Sequence, residues 1–136
     1  MTKIAHLSDV HFGTIIQPGI VDAIVEEVNE ADVQLVVVSG DLTQRARHRE
    51  YREAKAMLEA FQAPTLVVPG NHDVYAWWSP FHRVFRPLSR YRRHITDDLT
   101  PTFEQDGLAV LGINSAFGRT IAGGRIERPA REAITN

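Results

Sequence analysis

The chain reads as an α/β protein organised around a parallel βαβαβ unit. Three observations predict this. Short apolar runs recur at Ile4 to Leu7, Leu35 to Val38 and Thr65 to Val68. Segments of helical periodicity separate them, and each run gives way to small or polar residues.

Taken in order, Ile4 to Leu7 is the first strand. Pro18 can open a helix, in which Ile20, Ala23, Ile24 and Val28 recur at helical spacing while Glu26, Glu27 and Glu30 fall off that stripe. Leu35-Val36-Val37-Val38 is β-branched and apolar on both faces, as a strand covered on both sides should be. Tyr51, Ala54, Leu58 and Phe61 mark the second helix, and Thr65 to Val68 is the third strand, ended by Pro69-Gly70. Phe81 to Tyr91 is expected to be helical but interrupted at Pro87. Asp106-Gly107 then sits between two short apolar segments, 102–105 and 108–113, a strong hairpin signal. A Gly123-Gly124 pair and a helix opened by Pro129 complete the reading.

Composition narrows the chemistry. The 136 residues, 43% of them hydrophobic, are sized for one compact domain. A formal charge of −2 points to no polyanionic or membrane partner through bulk electrostatics. Cysteine is absent, so any metal must be held by oxygen and imidazole ligands. No run approaches the roughly 18 apolar residues of a membrane span, and the expectation is a cytoplasmic protein.

The three strand ends carry the chemistry. The first delivers Asp9 and His11, the second Gly40-Asp41, the third Gly70-Asn71-His72-Asp73. In an open parallel sheet the carboxyl ends of neighbouring strands share one edge, where ligands bind. Carboxylates, an imidazole and an amide oxygen suit divalent cations such as Mn, Fe or Zn. Asp9 and His11, two apart in an extended segment, would face one ion; Asp41 could bridge two; Asn71 adds an oxygen without charge. Two ions about 4 Å apart can activate a water and hold the oxygens of a phosphate ester. His72 beside them is suited to protonate a leaving oxygen, with Asp73 orienting its ring.

"DVH" at 9–11, "GD" at 40–41 and "GNHD" at 70–73, in that order, resemble the first three signatures of the calcineurin-like metallophosphoesterases. The surrounding "AHLSDVHFG", "LVVVSGDLTQRA" and "LVVPGNHD" are similar to bacterial members of the class III cyclic-nucleotide phosphodiesterase type. The resemblance implies metal ligation by Asp9, His11, Asp41 (bridging) and Asn71, with His72 catalytic. It implies two divalent metals and a phosphoester substrate: a cyclic nucleotide, a nucleic-acid end or a lipid phosphate. The family's further histidines, including its "GHxH" signature, have no counterpart here, where the last histidine is His94. The expectation is therefore a single, C-terminally truncated domain over residues 1–136. Its fold would be an incomplete four-layer αββα sandwich: the N-terminal parallel sheet plus a β-hairpin.

The fold's functional alternative is a non-catalytic interaction or scaffold module. A missing second layer would leave one sheet face uncovered and favour self-association. Residues 74–96 carry no acid but five arginines among six aromatics, which suits either a phosphate-attracting flank or nucleic-acid binding. The spacing of Phe81, Phe85 and Leu88 favours a third reading, an amphipathic helix that buries its aromatics and solvates its arginines. His6 is expected to be packed or to support a ligand, and His48 to lie on a solvated helix face.

Overall fold

A computed structural model describes residues 2–15, 17–119, 124–126 and 128–135. Three parallel strands, β1 (Ile4–Leu7), β2 (Leu35–Ser39) and β3 (Thr65–Val68), form a sheet in the order β1-β2-β3. The register sets Leu7 beside Val38 and Val38 beside Val67. These residues, with Ala5 and Val36, therefore share one face, which packs on Leu42, Tyr51, Ala54 and Met57 to make the core. The opposite face carries Ile4 and His6, both exposed, but also the buried Leu35 and Leu66. Gly112 sits so close to Val68, Pro101 and Leu66 that a side chain there would collide with all three. The chain after the hairpin thus covers part of the face the sequence left open.

The connections are helices α1 (Ile20–Glu30) and α2 (His48–Ala60). Helix α1 meets the core through Val21, Val25 and Val28; of the expected Ile20, Ala23, Ile24 and Val28 stripe, Val28 is borne out and the rest of the contact lies one position on. The two stripes adjoin and share Val28, so periodicity alone does not choose between them; packing on the core beside α2 does. Glu50, in the first turn of α2, is buried and accepts the backbone N–H groups of Arg45 (2.9 Å) and Arg47 (3.2 Å). It satisfies donors that the helix start would otherwise orphan.

Two further strands, β4 (Thr102–Gln105) and β5 (Leu108–Leu111), form a separate antiparallel hairpin. Asp106 (φ 51°) and Gly107 (φ 81°) both take the positive φ that a tight two-residue turn requires. The expected break at Pro87 divides two short helices, α3 (Pro80–Phe85) and α4 (Ser89–His94). A last helix, α5, spans Arg128–Thr135; Gly123 of the expected glycine pair lies outside the described residues.

One expectation is inverted. Arg83 is 4% exposed, whereas Phe81 and Phe85 are 65% and 68% exposed. The cause is local. Arg83 donates to the carbonyl oxygen of Tyr75 and its guanidinium lies 4.5 Å over the ring of Trp77. Phe81 and Phe85, four apart, share the opposite face of a six-residue helix and pack on each other, ring centroids 4.8 Å apart. Of the segment's aromatics only Tyr75 and Tyr91 are buried, together with the apolar Leu88. His48 is exposed as expected, yet its Nδ1 lies 2.8 Å from Nε2 of His94, joining α2 to α4. No described helix is long and apolar enough to cross a membrane.

Candidate metal centre

Pairing continues past the strands. His11 N–H donates to the carbonyl of Asp41 (2.9 Å), Phe12 N–H to that of Leu42 (2.9 Å) and Gln44 N–H to that of Phe12 (2.9 Å). This ladder holds the loop after β1 against the loop after β2. It also fixes Asp9, His11 and Asp41 at φ 55°, 53° and 49°. The segment 9–11 is therefore left-handed at both functional positions, not extended as the sequence reading supposed. Non-glycine residues there cost about 1–2 kcal/mol each, least for Asp, and the ladder offsets that cost.

The third loop docks by close approach. A Cβ on Gly40 would lie 3.3 Å from Cα of Gly70, and a Cβ on Gly70 would overlap the Asp41 carboxylate and its backbone N. Only glycine at 70 lets the β2 and β3 tips meet. Asp41 then accepts the backbone N–H of His72 on Oδ1 at 2.9 Å. Its other oxygen, Oδ2, lies 3.9 Å from His11 Nε2, and Asp9 Oδ1 lies 3.8 Å from the same nitrogen.

Those separations are too long for hydrogen bonds. They fall within the roughly 4.2 Å that two donors on opposite sides of one ion can span, given bonds of about 2.1 Å. One donor atom from each of His11, Asp41 and His72 lies within 4.8 Å of the others. His11 Nδ1 is buried without a hydrogen-bond partner among the described residues. The His11 and His72 rings meet edge-on at 4.8 Å. Two carboxylates with a neutral imidazole make a donor set that fits a hard or borderline divalent cation.

Asn71 is exposed and, with Asp9 and Asp41, lines a cavity of about 340 Å³ at the carboxyl edge of the sheet. Residues 9, 41 and 71 thus gather around one opening, and Asp41 belongs both to this rim and to the His11–His72 cluster. The far wall is built by Ile113, Ser115 and Ala116, which no strand-end motif announced.

His72 is oriented by a main-chain oxygen. Its Nδ1 lies 2.9 Å from the carbonyl of Gln44, an acceptor only, so Nδ1 carries the proton and Nε2 is the free ring atom. Asp73 does not touch that ring. Its carboxylate accepts from Leu42 N (3.2 Å), Thr43 N (2.9 Å), Thr43 Oγ1 (2.9 Å) and Gly70 N (2.9 Å). Burial pushes its carboxyl up to about 6, against the pull of those donors. Tyr51 caps the same turn by donating to the Asp73 carbonyl at 2.5 Å, and burial raises its phenol above the ordinary range, which keeps it a donor. The signal missed for Gln44 is a backbone carbonyl, which no side-chain motif encodes.

The chain is similar in sequence to known proteins. The family model for calcineurin-like phosphoesterases matches residues 2–129. An uncharacterized metallophosphoesterase of Helicobacter pylori is 37% identical over 82 residues, 54% of this chain and 20% of that protein. The glycerophosphodiester phosphodiesterase GpdQ of Enterobacter lignolyticus is 36% identical over 95 residues, 62% of this chain and 33% of that protein. A probable cyclic nucleotide phosphodiesterase of Vesicomyosocius okutanii is 30% identical over 50 residues, 37% of this chain and 22% of that protein. The matched segments span between 20% and 33% of the lengths of these relatives.

Proposed function

The chain belongs to the calcineurin-like phosphoesterase family, and on that premise we propose that it is a metal-dependent phosphodiesterase. The observation that carries the reading is the position of Asp41, with one oxygen toward His11 and the other on the His72 backbone. In this reading Asp9, His11, Asp41 and Asn71 would hold divalent cations, two of Mn, Fe or Zn, with Asp41 as the ligand both would share. When bound, such ions supply an activated water and positive charge against the phosphate oxygens. The chain's own residues do the rest. Asp9 and Asp41 set the negative charge of the pocket, and Asn71 presents a neutral oxygen at its rim. His72, its Nδ1 proton held by Gln44, offers Nε2 to carry a proton to the leaving oxygen. Asp73 acts through position, joining the β2 and β3 loops.

Residues 1–136 act in this reading as one domain in the cytoplasm, self-associating through the uncovered part of the sheet face or the exposed Phe81 and Phe85. The relatives' names leave the substrate between glycerophosphodiesters and cyclic nucleotides. The test is hydrolysis of bis(p-nitrophenyl) phosphate with Mn²⁺, alongside Mn²⁺ binding by calorimetry. Binding that is lost in Asp41→Asn, with turnover lost in His72→Ala, supports the proposal. Metal-free behaviour with a well-folded chain would favour the scaffold reading instead.

A further inference from the structure

A second cavity, of about 460 Å³, lies between α3–α4 and the wall of the metal centre. Its lining combines Arg86, Arg92 and Arg125 with Phe85 and Phe117. None of the three arginines has an ion-pair partner among the described residues, and no described lining residue is acidic. All three arginines are exposed, and cationic side chains lining one concavity favour an anion there. The guanidinium of Arg125 sits 5.9 Å from the Phe117 ring centroid, which orients it at the wall.

The cavity adjoins the metal centre. Ala116 lines both, and the backbone N–H of Arg125 donates to the Ser115 carbonyl at 2.9 Å, fastening the two pieces of chain that divide them. Ala116, whose side chain is a methyl group, is the lining residue the two cavities share.

We propose that this arginine-lined cavity is an anion subsite that takes a phosphate group carried beside a flat ring. As a substrate subsite it rests on the phosphodiesterase reading, to which it adds a requirement. The preferred diester bears a second negative charge, remote from the bond that is cut. Guanidinium forks suit phosphate oxygens bidentately, and the two phenylalanine rings with Leu88 and Leu99 offer the apolar contact a flat ring needs.

Calorimetry on the full chain, freed of metal with EDTA, separates the ideas. The probes are phenyl phosphate, phenol, inorganic phosphate and glycerol 3-phosphate. The proposal expects phenyl phosphate to bind tightest, Asp41→Asn to bind it as wild type does, and Arg86→Ala/Arg92→Ala to weaken it about tenfold or more. Mn²⁺ affinity should be unchanged in the double-arginine variant, and unchanged thermal melting shows that it folds. Phenyl phosphate binding that is absent, indifferent to the arginines, or matched by glycerol 3-phosphate overturns the subsite and leaves the metal reading standing. Failure of the wild type to bind Mn²⁺ would overturn the metal reading and, with it, the subsite's place in a substrate.

Discussion

Asp73 receives both the backbone N–H and the hydroxyl of Thr43, each at 2.9 Å. With Leu42 and Gly70 also donating, one buried carboxylate binds the β2 loop to the β3 loop. This makes Asp73 a positioning residue whose loss is felt first as stability. Asp73→Asn turns an amide N–H₂ toward backbone N–H groups that can only donate, and should cost about 2–4 kcal/mol in urea unfolding. Equal stability with abolished turnover would instead restore the catalytic role that its neighbour His72 suggests.

Asp41→Asn is the cleaner probe of the metal centre. Asparagine keeps an oxygen for the His72 N–H but removes the charge shared with His11. Stability should change by less than about 1 kcal/mol, while Mn²⁺ affinity falls by more than the roughly 10–100-fold typical of outer-shell losses. Titration calorimetry beside a melting curve reads both. A variant that still binds Mn²⁺ at wild-type strength would place the cation elsewhere.

The strands, both long helices and the hairpin were legible in the sequence because each has its own period or turn chemistry. Asp106-Gly107 needed no tertiary information to specify its turn. The convergence of residues 9, 41 and 71 was legible too, since parallel strands put their ends on one edge. Three things were not. The left-handed backbone at Asp9 and His11 comes from pairing with the 40–42 segment, a contact distant in sequence. The burial of Arg83 depends on a carbonyl and an indole ring, which a helical stripe does not register. The choice between two adjacent apolar stripes on α1 belongs to the core and the α2 helix it packs on.

Gly70 sets how closely two loops can meet. A methyl group there would occupy the space of the Asp41 carboxylate. Gly70→Ala should therefore push Asp41 off His11 and weaken Mn²⁺ binding about tenfold or more, with a stability loss of about 1–3 kcal/mol. Gly107→Ala is the control: its surroundings are open, so it carries only the backbone strain of its φ of 81° and leaves the metal affinity alone.

The exposed Phe81 and Phe85, packed on each other at 4.8 Å, form an apolar pair at the surface. Surfaces of this kind drive association. Phe81→Ser/Phe85→Ser should lower the mean mass in light scattering while the melting temperature holds. An unchanged mass would assign any association to the open side of the sheet around Ile4.

The His48–His94 contact predicts how stability responds to acid. Desolvation first, then Arg90, Arg93 and Arg52 for His48, and His48 itself with Arg93, Arg52 and Lys55 for His94, lower both pKa values in the folded chain. Above the unfolded value of 6.5 both states are neutral and the 2.8 Å contact is intact. Below it, the unfolded chain takes up protons that the folded pair resists, so stability is lost as pH falls through 6.5 and toward the depressed values. His94→Phe keeps a ring against Tyr51, which His94 stacks on at 5.7 Å, but removes the titrating partner. Melting temperature followed from pH 8 down to about 5 should drop less in this variant than in wild type. Parallel curves would show that the pair is already protonated, or open, in the folded protein.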